Sequence, residues 1–254
     1  MDRSGGKTRH SGDLIATLSG RNLARNLHSD VLWSLGLGIV SGEYAEGTIL
    51  PSDAELLERF SVSRTVLREA LKTLAAKGMI EARARIGTRV LPRNRWNLFD
   101  GDVLAWFFEL GPEVGFLRSL AEVRIGIEIE AAALAAEHAD PEAAAELIAW
   151  VDKMAAATEP VEFARCDLEF HKAVAAASGN PFMASISALV EMALTAAFTI
   201  SSPVNEPDAL AITVGVHRRI AEAIRDRDPV LARAAMREAI AQGFERAAGR
   251  MEET

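Results

Sequence analysis

The sequence predicts a mainly α chain in two parts: an N-terminal winged helix-turn-helix, then an all-α helical bundle. Three observations predict it. Residues 28–92 hold three short segments of helical period, followed by two short runs of strand period around Gly87. Beyond Trp96 almost every segment has helical period and is rich in Ala, Leu and Glu, with no strand signal. The charge also changes sign near that boundary. Residues 1–95 carry 15 Lys and Arg against 10 Asp and Glu, a balance of +5; since the whole chain stands at -8, the remainder carries -13. Opposite signs in two halves suggest two domains with different partners, the basic one facing a polyanion.

The elements follow in order. Residues 1–27, rich in Gly, Ser, Arg and Asn, are expected to form an N-terminal arm. A helix from about His28 to Ser41 is read from Val31, Leu35 and Ile39, and Gly42 ends it. Ser52 and Glu55 form a capping-box pattern ahead of Leu56, Leu57 and Phe60. Ser63 then caps a helix from Arg64 to Lys77 with Val66, Leu67, Ala70, Leu71 and Leu74 on its apolar face. Gly78 suits a left-handed helix end. Met79 to Ile86 and Val90-Leu91 read as two strands with Gly87 at the tip of their turn. Residues 93–112 are expected to be a linker and connecting helix, with Trp96 and Trp106 packing the two domains together. Residues 113–254 form the bundle, with helices near 113–138, 141–157, 160–178, 182–200, 206–226 and 229–249, broken mostly at Pro and Gly.

Composition narrows the function classes. With 254 residues, 49% hydrophobic and 25% charged, the chain is of ordinary globular type, not disordered. Its single cysteine, Cys166, excludes a disulfide framework and a multi-cysteine zinc ribbon. Apolar runs fall far short of the roughly 18 residues that span a bilayer. The N-terminus lacks the apolar stretch of a signal peptide, so a cytoplasmic protein without a membrane partner is expected.

A helix-turn-helix places the N-terminal end of its second helix in the DNA major groove. Here that end carries Ser63, Arg64, Thr65 and Arg68. An Arg can grip guanine O6 and N7 with two bonds, and hydroxyls at a helix start can meet phosphates or base edges. Arg64 and Arg68 share a face, and Lys72 lies one turn on. Arg83, Arg85 and Arg89 flank Gly87, which lets a backbone approach a groove closely. The plainer reading is that these arginines are solvated, with Glu69 pairing Arg68 or Lys72. Their coincidence with the hydroxyls and the hairpin favours double-stranded DNA as a partner.

The runs Leu50-Pro51-Ser52-Asp53-Ala54-Glu55-Leu56, Val62-Ser63-Arg64-Thr65-Val66-Leu67-Arg68-Glu69-Ala70-Leu71 and Gly87-Thr88-Arg89-Val90 resemble the GntR family of bacterial transcription regulators. The resemblance implies that Ser63, Arg64, Thr65, Arg68 and Gly87 meet DNA. Ala54 stands where many relatives carry a DNA-contacting Arg.

In the acidic half, Asp167 and His171 lie four apart on one helical face, and a carboxylate and imidazole so placed can hold a divalent metal. His217 on a later helix could be a third ligand. A plain hydrogen bond between Asp167 and His171 is the alternative. The stretch Asp167-Leu168-Glu169-Phe170-His171, with Ser178-Gly179-Asn180-Pro181 and His217-Arg218-Arg219-Ile220, is similar to the C-terminal effector domain of the FadR subfamily, known as FCD. That similarity implies a metal site, zinc first among divalent ions, on Asp167, His171 and His217. The family's fourth ligand, a His, is here Ala239. It also implies that Arg124 meets an acidic effector, although Glu128 one turn on offers an ordinary salt bridge. Asn180, and more weakly Ser178, are further effector candidates; Asn180 could instead cap the helix after Pro181. Arg93 to Trp106 resembles the linker of sugar-acid-responsive regulators of the galactonate-operon type. The resulting expectation is a homodimeric repressor, not an enzyme, released from DNA by a small organic or sugar acid such as an aldonate. The alternatives are a metal-dependent enzyme using Asp167, His171 and His217, and a DNA-binding protein with a purely structural bundle.

Overall fold

The computed structural model describes residues 27–111, 113–186 and 201–252. The expected arm, and most of the expected helix 182–200, lie outside these residues. The chain divides into two compact units, with the boundary after Gly111.

In the first unit, α1 (Leu27–Val40), α2 (Asp53–Phe60) and α3 (Arg64–Ala76) precede an antiparallel pair, β1 (Ile80–Arg83) and β2 (Gly87–Val90). Val31, Leu35, Leu56, Leu67 and Leu74 are buried between these helices. The Ser52–Glu55 capping box forms: the Ser52 hydroxyl accepts from Glu55 N, and Glu55 Oε2 accepts from Ser52 N at 2.7 Å. Gly78 takes φ +74, and a side chain there would collide with the Arg95 carbonyl, so only Gly fits.

The segment 93–109 is not a free linker. A single 3-10 turn (Arg93–Arg95) leads into α4 (Gly101–Glu109), and both belong to the first unit. Lys77, buried at the end of α3, pairs with Asp100 at 2.6 Å and Asp102 at 2.7 Å. Trp106 is wholly buried, edge-on to Trp33 and seated over Gly36, where any side chain would strike its ring. Trp96 packs on Phe107 and donates to Leu91 O at 2.8 Å. Among the described residues the ring contacts of both tryptophans lie within the winged unit and tie 93–109 to it. The Lys77–Asp100 and Trp33–Trp106 contacts join residues more than 20 positions apart, which local period does not reveal.

The second unit is helical throughout its described residues: α5 (Val114–His138), α6 (Pro141–Ala156), α7 (Pro160–Ala177), helical residues 181–186, α8 (Pro207–Arg225) and α9 (Pro229–Glu252). α9 packs on α5 and α8, α6 packs on α7 and α8, and α7 also packs on α5. Leu147, Met154, Phe163, Phe170, Ile220 and Ile224 are fully buried at the centre. Ala131, Ala132, Ala135 and Ala136 line α5, and their small side chains permit close helix approach.

Candidate functional site

At the start of α3, Ser63 is the N-cap, its hydroxyl accepting from Val66 N at 3.3 Å. That leaves the hydroxyl hydrogen available outward. Arg64, Thr65 and Arg68 are exposed, and among the described residues neither arginine forms a salt bridge. Glu69 is instead paired with Lys72 at 2.7 Å. Among the described residues the guanidinium forks at 64 and 68 are thus not spent on salt bridges.

The wing differs from expectation. Arg83 faces Gly87 across the ladder, so the turn is residues 84–86 and Gly87 opens β2 instead of forming the tip. Gly87 has φ +119, and a side chain there would press on Ile49. Its need for glycine is therefore met within the fold. The tip carries exposed Arg85, at φ 64, and Ile86. Arg83 pairs with Glu81 at 2.7 Å, and Arg89 donates to Gly47 O at 3.1 Å.

In the second unit, α7 and α8 bring Asp167, His171 and His217 together, all buried, with one ligand atom from each within 4.8 Å of the others. His217 Nδ1 lies 2.8 Å from the Thr213 carbonyl oxygen, which can only accept, so Nδ1 carries the proton. In the neutral ring the lone pair then sits on Nε2, 2.9 Å from Asp167 Oδ1. Among the described residues neither of these two buried atoms has a hydrogen-bond partner beyond this contact. A lone pair facing a buried carboxylate oxygen is repulsive; a metal ion between them, or a proton taken up on Nε2, removes the repulsion. A histidine held by a carbonyl through one nitrogen and open at the other is also the usual posture of a metal ligand. The residues therefore fit a divalent cation.

His171 Nε2 is 3.4 Å from Asp167 Oδ1, and its Nδ1 is 2.7 Å from Glu128 Oε2. Glu128, on α5, also accepts from Arg124 Nε at 2.6 Å and Nη2 at 3.1 Å. Burial pushes the Asp167 carboxyl up, but the two imidazoles reverse this and hold it well below the usual carboxylate range. Burial has the same sense at Glu128, where Arg124 and His171 more than offset it and lower the pKa to about 2. At His171 burial pulls down, while Glu128 and Asp167 pull up more strongly and leave it raised.

Arg124 thus has Glu128 as a bidentate partner and lies 3.4 Å from His171. Asn180 Oδ1 accepts from Phe182 N at 3.0 Å, the capping role. Ser178 Oγ is bonded to Ala175 O at 2.6 Å. Ala239 is buried in the apolar core cluster. Gln242 donates to Glu238 Oε1 at 3.1 Å. Glu169 is bound to Lys172 at 3.0 Å, away from the cluster as its helical position implies. Sequence reasoning missed the Thr213 carbonyl, although its place one turn before His217 signals it. It also missed half-buried Arg246, which feels Asp167 and donates to Ser201 O at 3.1 Å. No helix among the described residues is long and apolar enough to cross a membrane.

Residues 31–90 match the family described as bacterial regulatory proteins, gntR family, and residues 119–242 match the FCD domain. The HTH-type transcriptional regulator YieP of Escherichia coli (strain K12) is 37% identical over 217 residues, covering 83% of this chain and 92% of that protein. The galactonate operon transcriptional repressor of the same strain is 33% identical over 202 residues, covering 78% and 86%. The transcriptional repressor NanR of Cronobacter sakazakii is 32% identical over 225 residues, covering 84% and 82%. Among solved structures, Lar, which controls the expression of the Listeria monocytogenes agr system, superposes with a TM-score of 0.61 at 19% identity, covering 89% of this chain and 98% of that one. That likeness concerns the fold. A winged N-terminal unit with an exposed recognition helix, an FCD unit and relatives of this similarity agree: the chain belongs to the gntR family of bacterial regulatory proteins, among the DNA-binding regulators that carry an FCD domain.

Proposed function

We propose that the protein is a homodimeric transcription repressor released from its operator by a small carboxylic acid, a sugar acid such as an aldonate. Two winged units would read adjacent half-sites of a palindromic operator. Arg64 and Arg68 would contact base edges, Ser63 and Thr65 phosphates or base edges, and the wing opened by Gly87 the neighbouring groove. Asp167, His171 and His217 would hold a divalent ion, zinc by preference for a nitrogen and oxygen donor set. A bound ion would supply a Lewis-acidic point for a carboxylate oxygen. With Ala239 in the fourth ligand's place, three protein ligands leave that position to solvent or effector. The galactonate operon repressor among the relatives supports a sugar acid. Arg124 would meet such an acid by giving up part of Glu128.

The observation that supports this reading is the buried pair Asp167 Oδ1 and His217 Nε2, 2.9 Å apart and without a further partner among the described residues, in a chain of this family. The test is operator release. Operator DNA is selected from a random pool, and its affinity is measured with and without D-galactonate, before and after chelation. Release by the acid, lost on chelation and restored by Zn2+, is expected. Affinity indifferent to the acid and the metal would overturn it. The same buried cluster favours one second reading, a metal-dependent enzyme, which turnover of the acids by the zinc-loaded protein would reveal.

A further inference from the structure

We propose that Glu128 is a positioning residue that couples acid binding to metal binding. This rests on the acid-responsive, metal-holding reading above. Its carboxylate serves two helices at once. Oε1 accepts from Arg124 Nε at 2.6 Å, on its own helix α5. Oε2 accepts from Arg124 Nη2 at 3.1 Å and lies 2.7 Å from His171 Nδ1 on α7. The opposite nitrogen of that imidazole faces Asp167 Oδ1 at 3.4 Å and also lies 3.4 Å from Arg124 Nη2. His171 therefore stands between two carboxylates, one on the metal side and one behind it. A carboxylate behind a ligating histidine fixes the ring and makes its other nitrogen a stronger donor to metal.

Arg124 and His171 draw on the same oxygen, Oε2. Each donor reduces what that oxygen can give the other. An acid that engages Arg124 withdraws guanidinium bonds from Glu128 and leaves Oε2 to His171. The imidazole then binds metal more tightly. By linkage, metal binding tightens acid binding by the same factor. A plain i,i+4 salt bridge predicts none of this. Such a pair needs no third partner, whereas here all three side chains are buried and the third comes from another helix.

The test uses full-length, metal-stripped protein titrated with Co2+, followed by visible absorbance, with and without D-gluconate or D-galactonate. In the wild type, saturating acid is expected to tighten Co2+ about fivefold or more. Glu128→Gln keeps an oxygen for Arg124, but its NH2 cannot accept from His171. It is expected to weaken Co2+ by about 10- to 100-fold and to cut the acid effect to the part that direct ligation of the metal by the acid supplies. Arg124→Gln leaves Glu128 wholly to His171, so Co2+ should bind at least as tightly as in the wild type. A purely structural pair would weaken equally in both variants, and that result overturns the proposal. So does wild-type Co2+ affinity, or an intact acid effect, in Glu128→Gln. If a single variant fails to fold, Arg124→Gln/Glu128→Gln carries no buried charge from this pair. It should bind Co2+ as weakly as expected for Glu128→Gln, and wild-type affinity there also overturns the proposal. A wild type unaffected by either acid in thermal shift defeats the acid-responsive reading and the coupling. The opposite signs of the two single variants then still decide whether Glu128 positions His171.

Discussion

Replacing Arg64 and Arg68 together by Ala should remove sequence-specific DNA binding while leaving the fold intact. Both side chains are exposed, and neither forms a salt bridge among the described residues, so truncation strands no partner. Arg and Ala are both good helix formers, so α3 itself loses little. A bidentate arginine–guanine contact is worth about 1–3 kcal/mol of discrimination. Two per half-site give about 2–6 kcal/mol, or roughly 30-fold to 20,000-fold in affinity. A dimer on two half-sites suffers this loss at both. Fluorescence anisotropy on a selected operator and on a scrambled duplex, at one fixed salt concentration, separates the specific from the electrostatic part. Lys72→Ala is the control. Lys72 is already paired with Glu69, and a phosphate contact from it would weaken both duplexes alike. A double variant that melts like the wild type and keeps its operator-to-scrambled ratio within threefold would refute the placing of these arginines at base edges.

Four further outcomes are expected. Lys77→Met leaves Asp100 and Asp102, each about a quarter exposed, without their cation. Breaking a buried pair costs about 3–5 kcal/mol; the partial exposure reduces this to about 2–3, so the melting of the N-terminal unit should fall by about 10 °C or more, and an unchanged Tm would count against the anchor. Gly78→Ala should cost at least the ~1–2 kcal/mol of a left-handed non-glycine residue, read as a lower denaturant midpoint; an unshifted midpoint refutes the strain. Ala239→His should raise Zn2+ affinity at least tenfold and blunt the thermal shift given by D-galactonate; unaltered Zn2+ retention against a chelator would show that position 239 does not face the site. In the metal-free protein, Glu128 has its pKa lowered to about 2, so its contribution holds above its ordinary 4.5 and is lost as pH falls through 4.5 towards 2. His171 is raised, so its contribution holds below 6.5 and is lost as pH climbs through the raised value. Stability should peak in mildly acidic solution; a Tm flat from pH 4.5 to 2 would contradict the Glu128 shift, and one flat as pH rises above 6.5 the His171 shift.

What the sequence made legible was local. The Ser52–Glu55 box and the Ser63 cap depend on residues three apart, and both form. Asp167 and His171 could be paired on paper because four residues make one helical turn, and His217 joins them. What escaped was long-range. Lys77 meets Asp100 across 23 positions, and nothing in the period of either segment records it. Gly87 looked like a turn tip because glycine marks turns, whereas its φ and its proximity to Ile49 follow from the ladder register. Glu128 was visible only as the neighbour of Arg124. Its second role needs α7 laid against α5, which no one-dimensional pattern contains.

The anchoring of 93–109 bears on how a signal would reach DNA. Lys77 closes the recognition helix and is clamped to the first turn of α4, while Trp106, further along α4, fills the space over Gly36 of α1. Asp100 has two tasks there, since it also caps α4 through Asp102 N and Val103 N. Gly78 adds a third tie, because the Arg95 carbonyl occupies the space a side chain would need. These contacts make α3 and α4 parts of one packed body, and packed bodies transmit displacement instead of absorbing it. A displacement of α4 would therefore carry the recognition helix with it, since both belong to one body.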